Sequence, residues 1–378
     1  MYKKYKSLII VILVVAALLY FNPGSEITIP VEKIDIPSGI GIDLIKDNNG
    51  QVKNLLSMSS YTFNEKEKID SIIVSGSGLT IPATRETRQL QSNHLMFVAL
   101  QKAIIFSEDM CRSGINDSLD VLFANEYMNN MGWAVVCKGR AVDILKFKVD
   151  HYPSSTDFID GMIENSKEYN FFSDNYKIMD MYVRVGAEGR SLVLPYIEIV
   201  NDKIQITGIA LFVNDKMVRK IDINDTHVMN MLREDSAKGI LELRDSFKKY
   251  ASLQGKTKRK ISCEKSGDKF SFTINLDYSG DLICNTLIED LDKDPKAIST
   301  LEKAIEQKTE EQCQDFINKM QNEYKIDCLE LARVACAKYG RRTGVNWDEV
   351  ISNSDIKVNI KIKITNSGRG SYTATSEN

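Results

Sequence analysis

An apolar run near the N-terminus limits what the rest of this chain can become. Residues Leu8–Phe21 carry no charge, and Lys3, Lys4 and Lys6 precede them. A basic flank followed by a short apolar segment is typical of a secretion signal or a membrane anchor. A helix of this length reaches about 21 Å, less than the hydrocarbon core, but neighbouring residues can extend it. We interpret residues 1–24 as a membrane anchor or signal segment and favour the anchor, because FNPGSE is a poor cleavage site.

The lysines also predict an orientation. An excess of lysine marks the cytoplasmic side of a membrane segment, so residues 25–378 are expected on the extracytoplasmic side. No later segment of the sequence is long and apolar enough to span a bilayer. The whole chain has 43% hydrophobic and 27% charged residues, which is an ordinary globular composition, and the length that follows the apolar run implies two or three domains.

The cysteines indicate neither a zinc site nor a disulfide framework. They are odd in number, scattered, and contain no C-x-x-C pair. We predict that most are free, buried thiols. They are Cys111, Cys137, Cys263, Cys284, Cys313, Cys328 and Cys336.

Hydrophobic periodicity predicts an α+β fold with mixed sheets and helices. The predicted strands are Gly39–Ile45, Val52–Thr62, Ser71–Val74, His94–Phe106, Trp133–Cys137, Leu192–Val200, Ile204–Val213, Met217–Ile221, Gly239–Arg244, Lys258–Glu264, Phe270–Leu276 and Ile356–Ile364. The predicted helices are Thr84–Gln91, Ser107–Arg112, Asn116–Tyr127, Thr156–Tyr169, Asp225–Arg233, Pro295–Tyr324 and Cys328–Tyr339. The last strand alternates isoleucine or valine with lysine or asparagine, which predicts one buried and one solvated face.

These elements suggest a division into domains. We predict an N-terminal α+β domain at 25–199, a small β-rich middle domain at 200–257, and a C-terminal α+β domain at 258–368. The C-terminal domain would contain the longest helix. Residues 369–378 are expected to form a disordered tail.

A glycine pair has part of the pattern of a nucleotide-binding loop. Gly76-x-Gly78 follows a predicted strand, but Ile81 replaces the third glycine of a dinucleotide fingerprint, and the sequence contains no P-loop. We therefore interpret the pair as a flexible turn.

An aspartate series has part of the pattern of a calcium loop. Asp290-x-Asp292-x-Asp294 has the right opening spacing, but Pro295 replaces the glycine at position six and Leu301 the glutamate at position twelve. Capping of the long helix explains these aspartates better.

No catalytic, cofactor-binding or metal site is predicted. The histidines His94, His151 and His227 are far apart in sequence, and neither H-E-x-x-H nor G-x-S-x-G occurs. An anchored hydrolase built from distant residues stays open as an alternative. The basic stretch Lys256–Lys260 is interpreted as a solvated loop in preference to a lipid or polyanion contact, and nothing indicates nucleic-acid binding.

Several short motifs occur in a recognisable order. They are Gly39–Asp43, Thr84-Arg85-Glu86, His94–Gly114 with Glu108 six residues before Gly114, Gly208–Val218, Tyr324-x-x-Asp327, Trp347, and the alternating strand ending near Gly368. In this order they resemble the Ger(x)C family, the C subunit of bacterial spore nutrient germinant receptors. The resemblance covers about residues 34–368. Members usually carry a lipidated cysteine after the apolar run, whereas the first cysteine here is Cys111.

The resemblance implies a three-domain α+β protein without enzymatic activity or cofactor. It implies partnership with an integral A subunit and an integral B subunit on the outer face of the spore inner membrane. The peptide anchor would replace the lipid. The binding residues and any direct ligand are unknown from the sequence. The alternative is a surface-anchored solute-binding or scaffold protein unrelated to germination.

Overall fold

The computed structural model of the chain describes residues 5, 11–17, 30, 33–63, 69–288, 291, 295–342 and 344–366. Residues 11–17 are helical. Within the described residues, no helix combines the length and the apolarity that crossing a bilayer requires. Most of the anchor predicted at 1–24, the aspartates Asp290, Asp292 and Asp294, and the whole tail predicted at 369–378 lie outside the described residues.

The described residues form a mixed α+β fold. The strands are β1 Ile34–Asp35, β2 Pro37–Lys46, β3 Val52–Phe63, β4 Ile69–Gly78, β5 Leu95–Met96, β6 Ala103–Ser107, β7 Trp133–Cys137, β8 Val193–Val200, β9 Lys203–Val213, β10 Lys216–Asp222, β11 Lys238–Arg244, β12 Tyr250–Ser266, β13 Lys269–Asn285 and β14 Asp355–Asn366. The helices are α1 Ala83–Gln89, α2 Glu108–Ser113, α3 Asn116–Phe123, α4 Ala141–Lys146, α5 Ser155–Tyr169, α6 Ile178–Arg184, α7 Ile223–Arg233, α8 Pro295–Lys319, α9 Leu331–Tyr339 and α10 Trp347–Ser352.

The larger sheet has eight strands in the order β10-β9-β8-β7-β6-β2-β3-β4. Its centre is parallel, because β2, β6, β7 and β8 run in one direction, and its two margins are antiparallel. Parallel strands need long crossover connections, and helices supply them here. Helices on both faces explain why β6 and β7 are apolar without alternation and are buried along their whole length.

Two hydrophobic cores lie on opposite faces of this sheet. Ala103 and Ile105 of β6 point into one core, while Ile104 and Phe106 point into the other. The first core continues without a break into the second sheet and its helices. The two sheets are therefore joined by shared apolar packing.

The second sheet has four strands in the order β11-β12-β13-β14, with β14 parallel to β13. The predicted long helix is confirmed as α8, and a π-helical turn continues it through Met320–Tyr324. The predicted alternation of β14 is also present, with its isoleucine and valine side chains buried or half-buried and its lysines exposed. The backbone N–H groups of Ile362 and Ile364 donate to Glu306 and Glu302 of α8. These two bonds satisfy N–H groups that an edge strand would otherwise leave unpaired.

Two predicted strands have different extents in the structure. The segment His94–Phe106 is not one core strand. It contains the short β5, a 3-10 turn at Val98–Leu100 and then β6. Leu95 and Leu100 are each at least half exposed, which a continuous core strand would not allow. In contrast, β12 and β13 are much longer than predicted, because residues beyond the predicted bounds also pair with each other.

The basic stretch Lys256–Lys260 is not a solvated loop. It lies in the middle of β12 and pairs along its length with β13. Lys256, Lys258 and Lys260 face solvent, whereas Thr257 and Arg259 are buried on the other face. Period-two alternation therefore explains this sequence.

The glycine pair lies inside β4 and does not form a turn. Gly76 pairs with Leu56 and Gly78 with Asn54 of β3. Helix α1 packs directly against both glycines. A Cβ at position 76 would lie 2.3 Å from the backbone oxygen of Thr84. Close packing of a helix on a strand is thus the reason for glycine here.

The sheets divide the chain differently from the predicted domain boundaries. The boundary between 199 and 200 falls in the hairpin of β8 and β9, which pair within one sheet. The boundary between 257 and 258 falls inside β12. In the described residues, the larger sheet ends at Asp222 and the second sheet begins at Lys238, with α7 between them.

We expect Gly76→Ala to destabilise the fold by about 1–3 kcal/mol, because the Thr84 backbone cannot move away from the new methyl group without shifting α1. Gly161→Ala is the matched control. It lies within α5, and a methyl group at this position would have no neighbouring atom within 4 Å, so the change should stabilise by about 0.5–1 kcal/mol. Urea unfolding of both variants measures the two effects, and equal stabilities would contradict the packing argument.

Candidate functional site

A polar cleft lies where helices that follow strands of the larger sheet meet the C-terminal part of the chain. Its volume is about 600 Å³. Arg184 is the last residue of α6, Arg233 is the last residue of α7, and Glu330 directly precedes α9. Cations are favoured at helix C-termini and anions at helix N-termini. The helix ends thus bring opposite charges together at one place.

Glu330 is the centre of this cluster. Its Oε1 atom accepts from Arg184 Nε at 3.1 Å and from Arg233 Nη2 at 2.9 Å. All three side chains are at most 6% exposed. Arg184 also donates to Asp180 at 2.8 Å, and Arg333 lies 3.8 Å from Glu330 Oε2. One carboxylate therefore joins arginines from separate helices.

Arg233 also binds the backbone on both sides of the cleft. Its guanidinium donates to the carbonyl oxygens of Ser191 at 2.8 Å and Cys328 at 2.6 Å. Arg259 of β12 makes a similar link, because it donates to Leu232 O at 2.6 Å and Leu329 O at 3.3 Å. These bonds satisfy carbonyl groups at the ends of helices and loops that would otherwise be buried without a partner.

The pKa directions follow from this geometry. Burial alone would raise the pKa of Glu330, but the guanidinium groups of Arg233, Arg184 and Arg190 outweigh it and hold the pKa below its ordinary value. Burial alone would lower the pKa of Arg233, yet Glu330 and Glu234 more than offset this, so its pKa is raised. The cluster is charged at neutral pH.

The Tyr324-x-x-Asp327 motif stabilises the start of α9, next to Glu330 in the sequence. Asp327 accepts the backbone N–H groups of Leu331 at 3.0 Å and Ala332 at 2.7 Å, so it caps the start of α9. The Tyr324 hydroxyl donates to Asp225 at 2.7 Å. Burial raises the pKa of Asp327 to about 6, in spite of the two N–H groups, which lower it.

Other motif residues also hold elements together. Asp43 is buried and accepts the N–H groups of Ala141 at 2.6 Å and Val142 at 3.0 Å, so it caps α4. Gly114 has a φ of 123°, and a Cβ there would lie 2.6 Å from Asp215 Oδ2. The turn after α2 therefore contacts the tip of the β9–β10 hairpin. Trp347 donates to Glu188 at 3.0 Å.

The structure does not bring the three histidines together. His94 lies 2.9 Å from Asp35, His151 lies in an exposed loop, and His227 packs edge-on against Phe171. Burial lowers the pKa of His227. The cysteines are unbridged, and all but Cys284 are buried. Within the described residues, no group of three or more His, Cys, Asp or Glu side chains could hold a metal.

Comparison with known families assigns both halves of the chain. A family described as "Spore germination protein N-terminal domain" matches residues 28–199, and one described as "Spore germination B3/GerAC like, C-terminal" matches residues 207–368. This chain belongs to the GerAC-like family of spore germination proteins. The resemblance drawn from the sequence motifs is confirmed, and family membership makes the chain a C-type subunit of a spore germinant receptor.

Individual relatives agree with this assignment. The chain is 25% identical to spore germination protein YndF of Bacillus subtilis, over 81% of this chain and 74% of YndF. It is 22% identical to spore germination protein GerQC of Bacillus cereus, over 92% and 96%. The crystal structure of the GerBC protein is similar with a TM-score of 0.53 at 17% identity, covering 86% of this chain and 97% of that one. This last likeness shows a common fold.

The boundary between the two family matches falls in the same hairpin as the predicted boundary near residue 200. Arg184 therefore belongs to the N-terminal family match, whereas Arg233 and Glu330 belong to the C-terminal one. The cluster at Glu330 joins the two family-matched halves, which the spacing of the sequence did not reveal.

We expect Glu330→Gln to destabilise the protein by about 3–5 kcal/mol, because it leaves buried guanidinium groups without their shared counter-ion. Glu242→Gln is the matched control. Glu242 pairs with Arg244 in an exposed position, so its loss should cost less than about 1 kcal/mol. Chemical denaturation of both variants tests the difference, and a Glu330→Gln effect as small as the control would refute a structural role for the cluster.

Asp327 should make stability depend on pH. Because its folded pKa of about 6 lies above the ordinary 3.8, the folded state binds more protons than the unfolded state between these values. Its contribution is therefore present at low pH and is lost as the pH rises through 6. Relative to Asp327→Asn, the wild-type unfolding free energy should fall on the order of 3 kcal/mol from pH 4 to pH 7.

The matched control for this measurement is Asp355→Asn, since the Asp355 side chain is 69% exposed. Its unfolding free energy should follow that of the wild type across the same pH range. If the difference between wild type and Asp327→Asn rose with pH, burial would not be the dominant influence on this carboxyl group.

Proposed function

We propose that the chain is a non-enzymatic subunit of a spore germinant receptor that works beside integral A and B subunits. The observation that carries the proposal is the pair of family matches, which together span residues 28–199 and 207–368. They cover both halves that the Glu330 cluster joins. Both family modules are therefore present in one chain.

In this proposal the body lies on the outer face of the spore inner membrane, attached through residues 1–24. The apolar run behind three lysines supports this orientation. An inserted helix holds a protein far more firmly than a single acyl chain does, so the anchor can take the place of the lipid that other members carry. The start of the described body at Lys33 can lie at most about 40 Å from the end of the apolar run, which is the reach of residues 22–33 when fully extended.

The subunit would bind its partners and help to couple nutrient binding to opening of the assembly. Energetic coupling between distant sites is carried by packed side chains and by hydrogen-bond or salt-bridge networks. The shared hydrophobic core and the cluster at Glu330 supply such a connection between the two halves. The proposal assigns no chemical step to this chain.

Deletion of the gene in the source organism tests the proposal. We expect spores of normal morphology that fail to respond to at least one nutrient, because the receptor lacks a subunit. An affinity-tagged copy should restore the response and should co-purify with two integral membrane proteins from spore membranes. Germination is measured by the loss of optical density of the spore suspension.

A matched control keeps the body and changes only its attachment. Replacing residues 1–24 with a cleavable secretion signal releases the same body from the membrane, and this version should restore neither the response nor co-purification. Normal germination of the deleted strain with every nutrient tested would count against a receptor role. Saturable binding of a nutrient by the body in a strain without germination defect would favour the solute-binding alternative.

A further inference from the structure

A second cavity lies against the larger sheet and shares no lining residue with the charged cleft. Its volume is about 670 Å³, which is within the usual range for small-molecule sites. Helix α1, strand β5, the turn at Val98–Leu100 and the end of α3 surround it. Its walls are mostly apolar and include Ile40, Leu56, Met58, Ile81, Phe97 and Val121.

One buried cation lines this apolar groove. Arg88 is only 5% exposed, and its Nη1 donates to Thr84 Oγ1 at 2.8 Å. Its Nε atom is buried and has no hydrogen-bond acceptor among the residues that the structure describes. Within the described part of the chain, Arg88 forms no ion pair with a carboxylate.

The surrounding charges do not compensate Arg88. Burial and, to a smaller extent, the neighbouring cation Arg85 lower its pKa to about 10. Glu126 also lines the groove, but it forms no ion pair with Arg88. At neutral pH the guanidinium therefore keeps its charge in an apolar setting.

The backbone is shaped to place Arg88 there. Helix α1 can approach β4 only because Gly76 has no side chain, and a Cβ at that position would lie 2.6 Å from Arg88 Cγ. The arginine stem lies over this glycine. The Thr84 hydroxyl, which donates to Ile81 O at 2.6 Å, fixes one end of the guanidinium.

A buried charge without a counter-ion is strongly unfavourable, and a bound anion removes this cost. A carboxylate or phosphate fits the fork of a guanidinium, whereas the apolar walls favour a hydrocarbon body. We propose that the groove binds a small amphipathic anion, with its anionic group on Arg88 and its hydrocarbon part along Ile40, Met58 and Phe97. Such an anion can come from a membrane lipid or from a free organic acid.

Equilibrium dialysis of radiolabelled decanoate against the full chain in phosphatidylcholine nanodiscs tests this site, with empty nanodiscs as background. Wild type should bind decanoate saturably, and Arg88→Gln should bind it at least tenfold more weakly. Arg244→Gln, which removes a half-exposed arginine of the second sheet, should bind like wild type. Arg88→Lys should keep more binding than Arg88→Gln, because it keeps the charge.

Uncharged decanol provides a test that needs no variant. It should bind wild type at least tenfold more weakly than decanoate, so the site can be judged even if Arg88→Gln does not fold. Competition by lysophosphatidate would identify a lipid as the source of the anion, and competition by short free acids alone would identify a soluble acid. Equal binding of decanol and decanoate, binding unchanged in Arg88→Gln, or displacement only by an apolar peptide would overturn the proposal.

Discussion

The relative position of the two halves depends on one buried carboxylate. Glu330 accepts from Arg184 and Arg233, and the three charges lie almost out of reach of water. Separating the halves would leave each of these groups either to solvate anew or to stay buried alone, and the second state costs several kcal/mol per ion. The cluster thus favours one arrangement of the halves. The hydrophobic core that runs through both sheets supplies most of the attraction but little directional preference.

Much of the fold could be predicted because its pattern is local. The apolar run of β7, the alternation of β14 and the spacing of α8 each follow from residues that are neighbours in sequence. The full length of β12 and β13 could not be predicted in this way, since their additional residues are held in the strands by pairing with the partner strand, which lies outside the local pattern. The prediction of a turn at Gly76 is also wrong. The sequence of the strand does not show the helix α1, whose close packing requires glycine there.

The charged cleft could not be predicted from spacing. Glu330 is 146 residues from Arg184 and 97 from Arg233, so no short motif contains the cluster. The motif that ends at Asp327 pointed to the right region through its resemblance to a family, but its role as a helix cap required the structure. One signal was available in the sequence. Arg233 closes a predicted helix, and an arginine at a helix C-terminus is a candidate for a buried partner.

Two buried arginines, Arg233 and Arg88, differ in how far the polar groups around them compensate their charge. Arg233 is surrounded by a carboxylate and by carbonyl oxygens, so its environment is complete within the chain. Arg88 is buried to a similar extent but has one hydroxyl and, among the described residues, no carboxylate. For the stability of the fold alone, an apolar side chain of similar volume would be more favourable at this position, because it would not carry the desolvation cost of a buried charge. A buried cation beside an open apolar groove, with no carboxylate partner among the described residues, instead supports the proposed binding of an anion from outside the chain.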